Sequence, residues 1–467
     1  MSVKSKGSGS HAAISPARSA AFDILLRVDR EGSYASELLH SRRYEGLSVV
    51  DHSLATGMVM GVLRWRSLLD SEIAATSSQP VSKLDLEVVI ALRLALYQLL
   101  YLDRIPAWAA ISGSVELVKR ARKRSAAPFV NAILRKLASG TSAKANEPAL
   151  EADSFSSASM AASWAHPLWM VERWTQAYGT ETALGICQYD QSIPSTAIRL
   201  RDPEAEAQLC AEGIELAPGF LLASARIVQH GEITKARAFK QGRCVIQDEG
   251  SQLVAALVGR GMSILDCCAA PGGKTLAIAD RNPLADIAAV ELHLHRARLL
   301  KRLLNGQTRT ADNESRCPIK VIAGDALSLP VASNFERVLA DVPCSGTGTL
   351  ARNPEIKWRL NASDLSDLQE RQLAILRSAM KHVVPGGRLI YSTCSLEKEE
   401  NEGVIERGLA EDSSFRVLAC ATELGRLCQE TELTWPDLAS LTRGPFLRTI
   451  PGVHRCDGFF ASILQKI

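Results

Sequence analysis

The stretch SILDCCAAPGGKT, Ser263 to Thr275, carries a short apolar run into an acid and then into a turn of small residues. Four later stretches repeat that rhythm: IAAVELH around Glu291, IKVIAGD ending at Asp325, RVLADVPC ending at Cys344 and RLIYSTC ending at Cys394. Short apolar runs closed by polar or glycine-rich turns, alternating with helical stretches, predict a parallel sheet flanked by helices. The expected unit is a Rossmann-like α/β domain over 241–467, with its functional groups at the carboxyl ends of the strands.

Upstream of that domain the pattern changes twice. Residues 164–240, opened by Trp164, Trp169 and Trp174, read as a small mixed α/β subdomain with strand candidates TAIRL and ARIV. Residues 140–163, rich in Ser and Ala, read as a linker. Residues 15–139 are helical throughout. ARSAAFDILLRV places Ala20, Ile24, Leu25 and Val28 on one face, FVNAILRKL does the same with Val130, Ile133, Leu134 and Leu137, and the run from Val88 to Leu102 suits a helix buried almost all round. This part is expected to be an all-α bundle, preceded by a disordered tail over 1–14.

The bulk numbers describe a chain able to bury real cores: 467 residues, 46% hydrophobic and 22% charged. A net charge of +3, from 54 Lys and Arg against 51 Asp and Glu, neither requires nor excludes a nucleic-acid partner. Eleven cysteines without a CxxC pair give no disulfide framework and no zinc site. MSVKSKGSGSH lacks the apolar core of a signal peptide, and the Val88 run is broken by Arg93 and Gln98 and too short to cross a bilayer. A cytoplasmic, reducing setting and no membrane partner are expected.

DCCAAPGGKT is neither GxGxxG nor GxxxxGK[ST], so a pyrophosphate is not indicated. Its small residues still let backbone N–H groups approach a ligand at a helix start. Glu291, 19 residues beyond Gly272, suits a grip on ribose hydroxyls, and Asp325 suits an adenine amino group. A ribose and an adenine without a phosphate cradle suggest S-adenosylmethionine. Glycine turns and strand-end acids also occur throughout doubly wound folds, so the pattern alone leaves both readings open.

Two thiols, Cys344 and Cys394, and one carboxylate, Asp341, lie at neighbouring strand ends. The acids Glu397, Glu399, Glu400 and Glu402 suit the first turns of a helix starting just after Cys394, whose amides would face the thiol and favour thiolate. Beside a methyl donor such a set suits carbon 5 of a pyrimidine, itself a poor nucleophile. A thiolate adding at carbon 6 makes carbon 5 electron-rich, a carboxylate near ring nitrogen 3 stabilises the adduct, and a further group helps to release the product. The residue pattern does not say which cysteine attacks.

DCCAAPGGKT, DVPCSGTGTLARNPEIKW and PGGRLIYSTCSLEKEENE, agreeing in order and spacing, resemble the Sun/Nop2 family of RNA cytosine-C5 methyltransferases. VIQDEGSQL and DGFFASIL extend the resemblance over the last half of the chain. ARSAAFDILLRV, GVLRWRSLLD, RLALYQLLYLDRIP and FVNAILRK resemble the NusB-like domain fused to bacterial small-subunit rRNA methyltransferases of that family. The resemblance implies that Cys394 is the nucleophile, that Cys344 assists product release, and that Asp341 and Lys274 complete the catalytic set. It implies cofactor contacts from Cys268, Ala269, Ala270, Pro271, Gly272, Gly273, Lys274, Glu291, Asp325 and Asp341. It also implies methylation of a cytosine in 16S rRNA, naked or in an early assembly particle; the protein is expected to be a monomer. The catalytic motifs alone equally suit tRNA, and an RNA-binding assembly factor with an inert catalytic half is the alternative from another class. Ile111 to Ser114, Asp190-Gln191 and Arg352-Asn353 depart from the family's usual residues, which bears on RNA contacts and packing and not on the reaction.

Both the helical domain and the mixed subdomain are expected to bind RNA. KRARKR offers Lys119, Arg120, Arg122, Lys123 and Arg124, with Arg135 and Lys136 on the next helix. Such a run gives affinity and register through phosphates, though it also serves as a merely solvated helix face. Arg199, Arg201, Lys357 and Trp358 are further candidates, the last for stacking on a splayed base. Trp164, Trp169 and Trp174 are expected to pack. His293 and His295 read as solvated residues and no metal is expected, while Cys187, Cys210, Cys267, Cys420 and Cys428 read as small buried hydrophobes.

Overall fold

The computed structural model describes residues 14–140, 156–307 and 319–467, so the expected tail and most of the expected linker lie outside the described residues. The chain divides into two units, Met1–Ser192 with Leu350–Arg359, and Ile193–Thr349 with Leu360–Ile467.

The first unit is helical because its apolar residues recur at helical spacing and its ends carry caps. The helix Pro16–Glu31 opens on Ser15, whose hydroxyl accepts from the Arg18 amide at 3.3 Å, and closes at Gly32 with φ 65°. Ala20, Ile24, Leu25 and Val28 are buried, as their shared face requires. The helix Leu86–Tyr101 runs through the middle of the core with Val88 to Leu96 buried. Arg93 survives burial there because its guanidinium makes two bonds to the Asp70 carboxylate, at 2.6 and 2.7 Å.

The boundary expected near residue 164 falls instead at Ser192. Ser157–Ser163, Leu168–Tyr178 and Thr180–Gln191 are helices of the first unit. Trp164 and Trp174 are buried, and the buried Gln191 amide donates to the backbone of Arg64 and Trp164. Ser/Ala composition reads as a linker, yet Ala is the best helix former, and here tertiary contacts decide.

Leu350–Arg359 also belongs to this unit, although the residues on either side of it in sequence belong to the other. Arg64 donates to the Ala351 carbonyl at 2.8 Å, and Glu355 accepts the Ala35 amide at 2.8 Å. Trp358 Nε1 donates to the Leu63 carbonyl at 2.6 Å. Lys357 is 1% exposed, and its Nζ donates to the carbonyls of Arg64 and Ala165, each at 3.0 Å. Burial pulls the Lys357 ammonium down to about 7, against the opposing charges of Asp190 and Cys187. The unfolded chain therefore holds the extra proton between pH 7 and about 10.4. The stability of the wild type relative to Lys357→Met is expected to be flat below pH 7 and to rise from there to about pH 10, by an order of a few kcal/mol. Urea unfolding of both proteins across that range checks it; parallel curves would refute it.

The second unit carries two sheets. The smaller is antiparallel, in the order Glu215–Pro218, Ala225–His230, Thr196–Leu200, Cys244–Ile246, which contains both expected strands. The larger runs Thr442–Arg443, Phe446–Arg448, Phe460–Lys466, Val383–Thr393, Phe335–Asp341, Ser263–Asp266, Asp286–Glu291, Lys320–Ala323, with Phe415–Leu418 paired to Phe460–Lys466. The five strands from Val383–Thr393 to Lys320–Ala323 are parallel, and pairing turns antiparallel at Phe460–Lys466. All five apolar runs of the sequence reading lie on these parallel strands.

Arg199 and Arg201 are not free to meet RNA phosphates as expected. Both are buried against Asp280, at 2.8 and 2.7 Å, joining the small sheet to the helix Gly273–Arg281. Removing one partner of a buried ion group strands the others, so Asp280→Ala is expected to destabilise this unit by about 3 kcal/mol. Thermal unfolding tests this; a loss under about 0.5 kcal/mol, typical of a surface site, would contradict it.

Candidate active site

Strand order reverses between Ser263–Asp266 and Phe335–Asp341, which opens a crevice beyond their carboxyl ends. Cys268 to Gly273 form the turn there, between Asp266 and the helix Gly273–Arg281. Gly272 has φ 114°, and a Cβ on it would stand 2.6 Å from Leu300 Cδ1, so neither the backbone nor the space tolerates a side chain. Asp266, to which the sequence reading gave no role, clasps the turn: its carboxylate accepts Thr275 Oγ1 at 2.7 Å and the Cys268 amide at 3.4 Å. Burial pushes the Asp266 carboxyl up to about 6. Nothing local marks this bond, since Thr275 comes into reach only once the helix turns back over the strand.

Glu291 closes the next strand, buried, with Oε1 accepting the His293 amide at 2.9 Å. Asp325 is exposed beyond Lys320–Ala323 and accepts the Leu327 amide at 2.9 Å. Burial and then the charges of Asp266, Asp341 and Glu291 push the Cys268 thiol far up, so it stays neutral. The lysine of the turn, Lys274, pairs with Asp341 at 2.8 Å, and the turn holds no second cation for a phosphate. Backbone amides, a buried strand-end acid and an exposed acid on the next strand fit a nucleoside that carries a cationic rather than a phosphorylated end.

The two thiols meet. Cys344 Sγ and Cys394 Sγ are 3.3 Å apart, each partly exposed. Their loops are tied by the Gly348 amide, which donates to the Cys394 carbonyl at 2.9 Å. Gly348 must be glycine because a Cβ there would lie 2.2 Å from the Gly458 carbonyl oxygen. Asp341 is fixed from both sides, by Lys274 and by Ser392 Oγ at 2.7 Å. Burial pushes the Lys274 ammonium down, but Asp341, with Cys394 and Asp266, outweighs it and the net direction is up. Lys274 thus stays cationic. The Cys344 thiol is pushed well above its usual range, first by its hydrogen bond with Cys394, then by burial, then by the charges of Cys394 and Glu400.

The helix expected directly after Cys394 is not there. Lys398–Glu400 form a short 3-10 turn and the helix begins at Glu402, so it does not start beside the Cys394 thiol. Glu397, Glu400 and Asn401 are buried instead of marking a solvated helix start. Acid runs favour helix starts in isolation; here the acids are used to satisfy buried donors.

The RNA candidates divide. Arg122, Arg124, Arg135 and Lys136 are exposed. Lys119 pairs with Glu116 at 2.7 Å, Arg120 with Asp23 at 2.5 Å and Lys123 with Asp85 at 3.0 Å, so three charges of KRARKR are already balanced. Lys357 and Trp358, expected to touch RNA, are bound inside the first unit as described above. A lysine beside a tryptophan in a loop suggests a nucleic-acid contact, but burial follows from carbonyls that remote helices supply. Cys187, Cys267 and Cys420 are buried as expected, whereas Cys210 and Cys428 are exposed. His293 and His295 are exposed, and among the described residues no group of three His, Cys, Asp or Glu could hold a metal. Among those residues no helix is long and apolar enough to cross a membrane.

A doubly wound sheet with a phosphate-free nucleoside turn and reactive groups on the next two strand ends defines a Rossmann-like methyltransferase, here joined to a helical domain. The chain belongs to the 16S rRNA methyltransferase RsmB/F family, whose model matches residues 258–465, while the NusB family matches residues 15–139. It is 32% identical to "Probable ribosomal RNA small subunit methyltransferase B" of Bacillus subtilis, over 96% of this chain and 98% of that one. It is 28% identical to ribosomal RNA small subunit methyltransferase B of Cronobacter sakazakii, over 96% and 98%. Among solved structures, that of PH0851 superposes with a TM-score of 0.76 at 22% identity, covering 97% of this chain and 99% of that one. A methyltransferase homologue from Pyrococcus horikoshii gives 0.54 at 23%, covering 68% and 100%. At those identities the structures speak to the fold.

Proposed function

We propose that this protein methylates carbon 5 of a cytosine in 16S rRNA, through a transient bond between the Cys394 sulfur and carbon 6 of the base. The observation that carries the reading is the 3.3 Å approach of Cys344 and Cys394 beside the Lys274–Asp341 pair. One thiol alone would suit many roles, whereas two thiols, a carboxylate and a cation at one crevice suit addition followed by elimination.

S-adenosylmethionine, when bound, supplies an electrophilic methyl group. Glu291 would hold its ribose, Asp325 its adenine, and the turn Cys268–Gly273 would line it. Cys394, as thiolate, adds to carbon 6 and leaves carbon 5 electron-rich, with the Lys274 ammonium held in the same site by Asp341. Asp341 shares the proton at ring nitrogen 3 as charge develops on the ring. In the resting site Cys344 keeps its proton and donates to the Cys394 sulfur. Once that sulfur is bonded to carbon, the hydrogen bond that holds the Cys344 proton is lost; Cys344 passes that proton to water, and the resulting thiolate takes the proton from carbon 5 as Cys394 departs. The base must leave any stack to reach these groups, which favours a cytosine in a loop or junction. The exposed Arg122, Arg124, Arg135 and Lys136 would hold phosphates.

The test is incubation of the protein with radiolabelled S-adenosylmethionine and either undermethylated small-subunit rRNA or tRNA, followed by nucleoside analysis. Label in 5-methylcytosine from rRNA is expected. Label only in tRNA would move the substrate, label on another atom would remove the mechanism, and no label in either RNA would favour an inert assembly factor.

A further inference from the structure

Four hydrogen-bond donors converge on one buried carboxylate beneath the two thiols. Glu400 is fully buried. Its Oε1 accepts the Ser345 amide at 2.8 Å and Gln372 Nε2 at 2.7 Å. Its Oε2 accepts the hydroxyls of Ser345 and Ser395, each at 2.5 Å. Four bonds are about the full acceptor capacity of a carboxylate. Ser345 directly follows Cys344 and Ser395 directly follows Cys394, so one side chain fixes both cysteine-bearing loops at their adjacent residues. Gln372 extends the clasp by donating to the Pro343 carbonyl at 3.0 Å, on the other side of Cys344. Tyr391, buried on the strand that leads to Cys394, donates to the Glu400 carbonyl at 2.6 Å and anchors its backbone.

We propose that Glu400 is a positioning residue of the reaction: it sets the separation of the Cys344 and Cys394 sulfurs, and with it the hand-over from bond formation at one thiol to product release by the other. The inference rests on the proposed two-cysteine reading. Its physical basis is that saturated buried networks hold their members tightly and tolerate no replacement of an acceptor by a donor. Glu400→Gln sets an NH2 group against two of the four donors. The loops must then part or rotate, and misplacement of about 1 Å costs turnover about 100-fold.

Two readouts on the full chain test this. In the first, oxidised glutathione closes a Cys344–Cys394 disulfide, two thiols giving one disulfide while one glutathione disulfide becomes two glutathiones. Peptide mass analysis follows the rate, and no RNA is involved. Glu400→Gln is expected to close it roughly tenfold more slowly, because cross-linking tolerates only a narrow spacing. In the second, kcat on rRNA is expected to fall about 100-fold, with the KM for RNA and binding of S-adenosylhomocysteine essentially unchanged. A Glu400→Gln protein that closes the disulfide and turns over like the wild type overturns the inference. Loss of S-adenosylhomocysteine binding together with activity would mark general unfolding of that variant and pass the test to a second one. Ser395→Ala, which withdraws a single donor, carries the same two readouts if Glu400→Gln does not fold. Altered disulfide closure in a protein whose methylation survives loss of both cysteines would sink the two-cysteine chemistry and leave the spacing role standing.

Discussion

Cys394→Ala is expected to bring methyl transfer to background, a loss on the order of 10⁴-fold or more. The variant should also form no RNA adduct that survives denaturant. The sulfur has no substitute within the site. Cys344 lies 3.3 Å away, but its thiol is pushed up by burial and by Glu400 even without its partner. The substitution removes one partly exposed sulfur at a strand end, so folding and S-adenosylhomocysteine binding should persist. They provide the control that separates lost chemistry from lost structure. Transfer above about one tenth of the wild-type rate would show that carbon 6 is not attacked by this thiol.

Cys344→Ala should behave in the opposite way. Addition and methyl transfer should remain available, since Cys394, Lys274 and Asp341 are untouched, but the group proposed to take the carbon 5 proton is gone. A protein–RNA adduct stable on a denaturing gel is expected to accumulate, while turnover falls between about 10²- and 10⁴-fold, the usual worth of a positioned acid or base. Removal of Cys344 also takes away the hydrogen-bond partner of the Cys394 sulfur, so the first turnover should be slowed as well. Should the adduct form in Cys394→Ala and not in Cys344→Ala, the roles of the two thiols are reversed.

The contrast between these variants depends on geometry that is unevenly written in the chain. The crevice was legible. Apolar runs of strand length, each ended by a glycine turn or an acid, place Asp266, Glu291, Asp325, Asp341 and Cys394 at strand ends before any coordinates are known, because side-chain period and turn chemistry are local properties. The helical half was legible for the same reason, down to the buried faces of Pro16–Glu31 and Leu86–Tyr101. Misreadings fell on polar residues. Lys357 and Trp358 looked like nucleic-acid contacts and are bonded to backbone carbonyls nearly 300 positions earlier, from Leu63 and Arg64, with Lys357 buried. Arg120 looked free and pairs with Asp23, 97 positions away. Glu400 looked like a helix-start acid and instead bonds Ser345, 55 positions away.

By itself, then, the order of amino acids determined the layers, the strand ends and the set of reactive groups, since each of these follows from spacing within a dozen residues. Only the tertiary structure decided that the two sulfurs touch, that one buried carboxylate spans both loops, and which cations remain for RNA. A charged or hydrogen-bonding side chain is stable inside a protein only where partners meet it. Those partners arrive from segments far away in the chain, so no local pattern announces them.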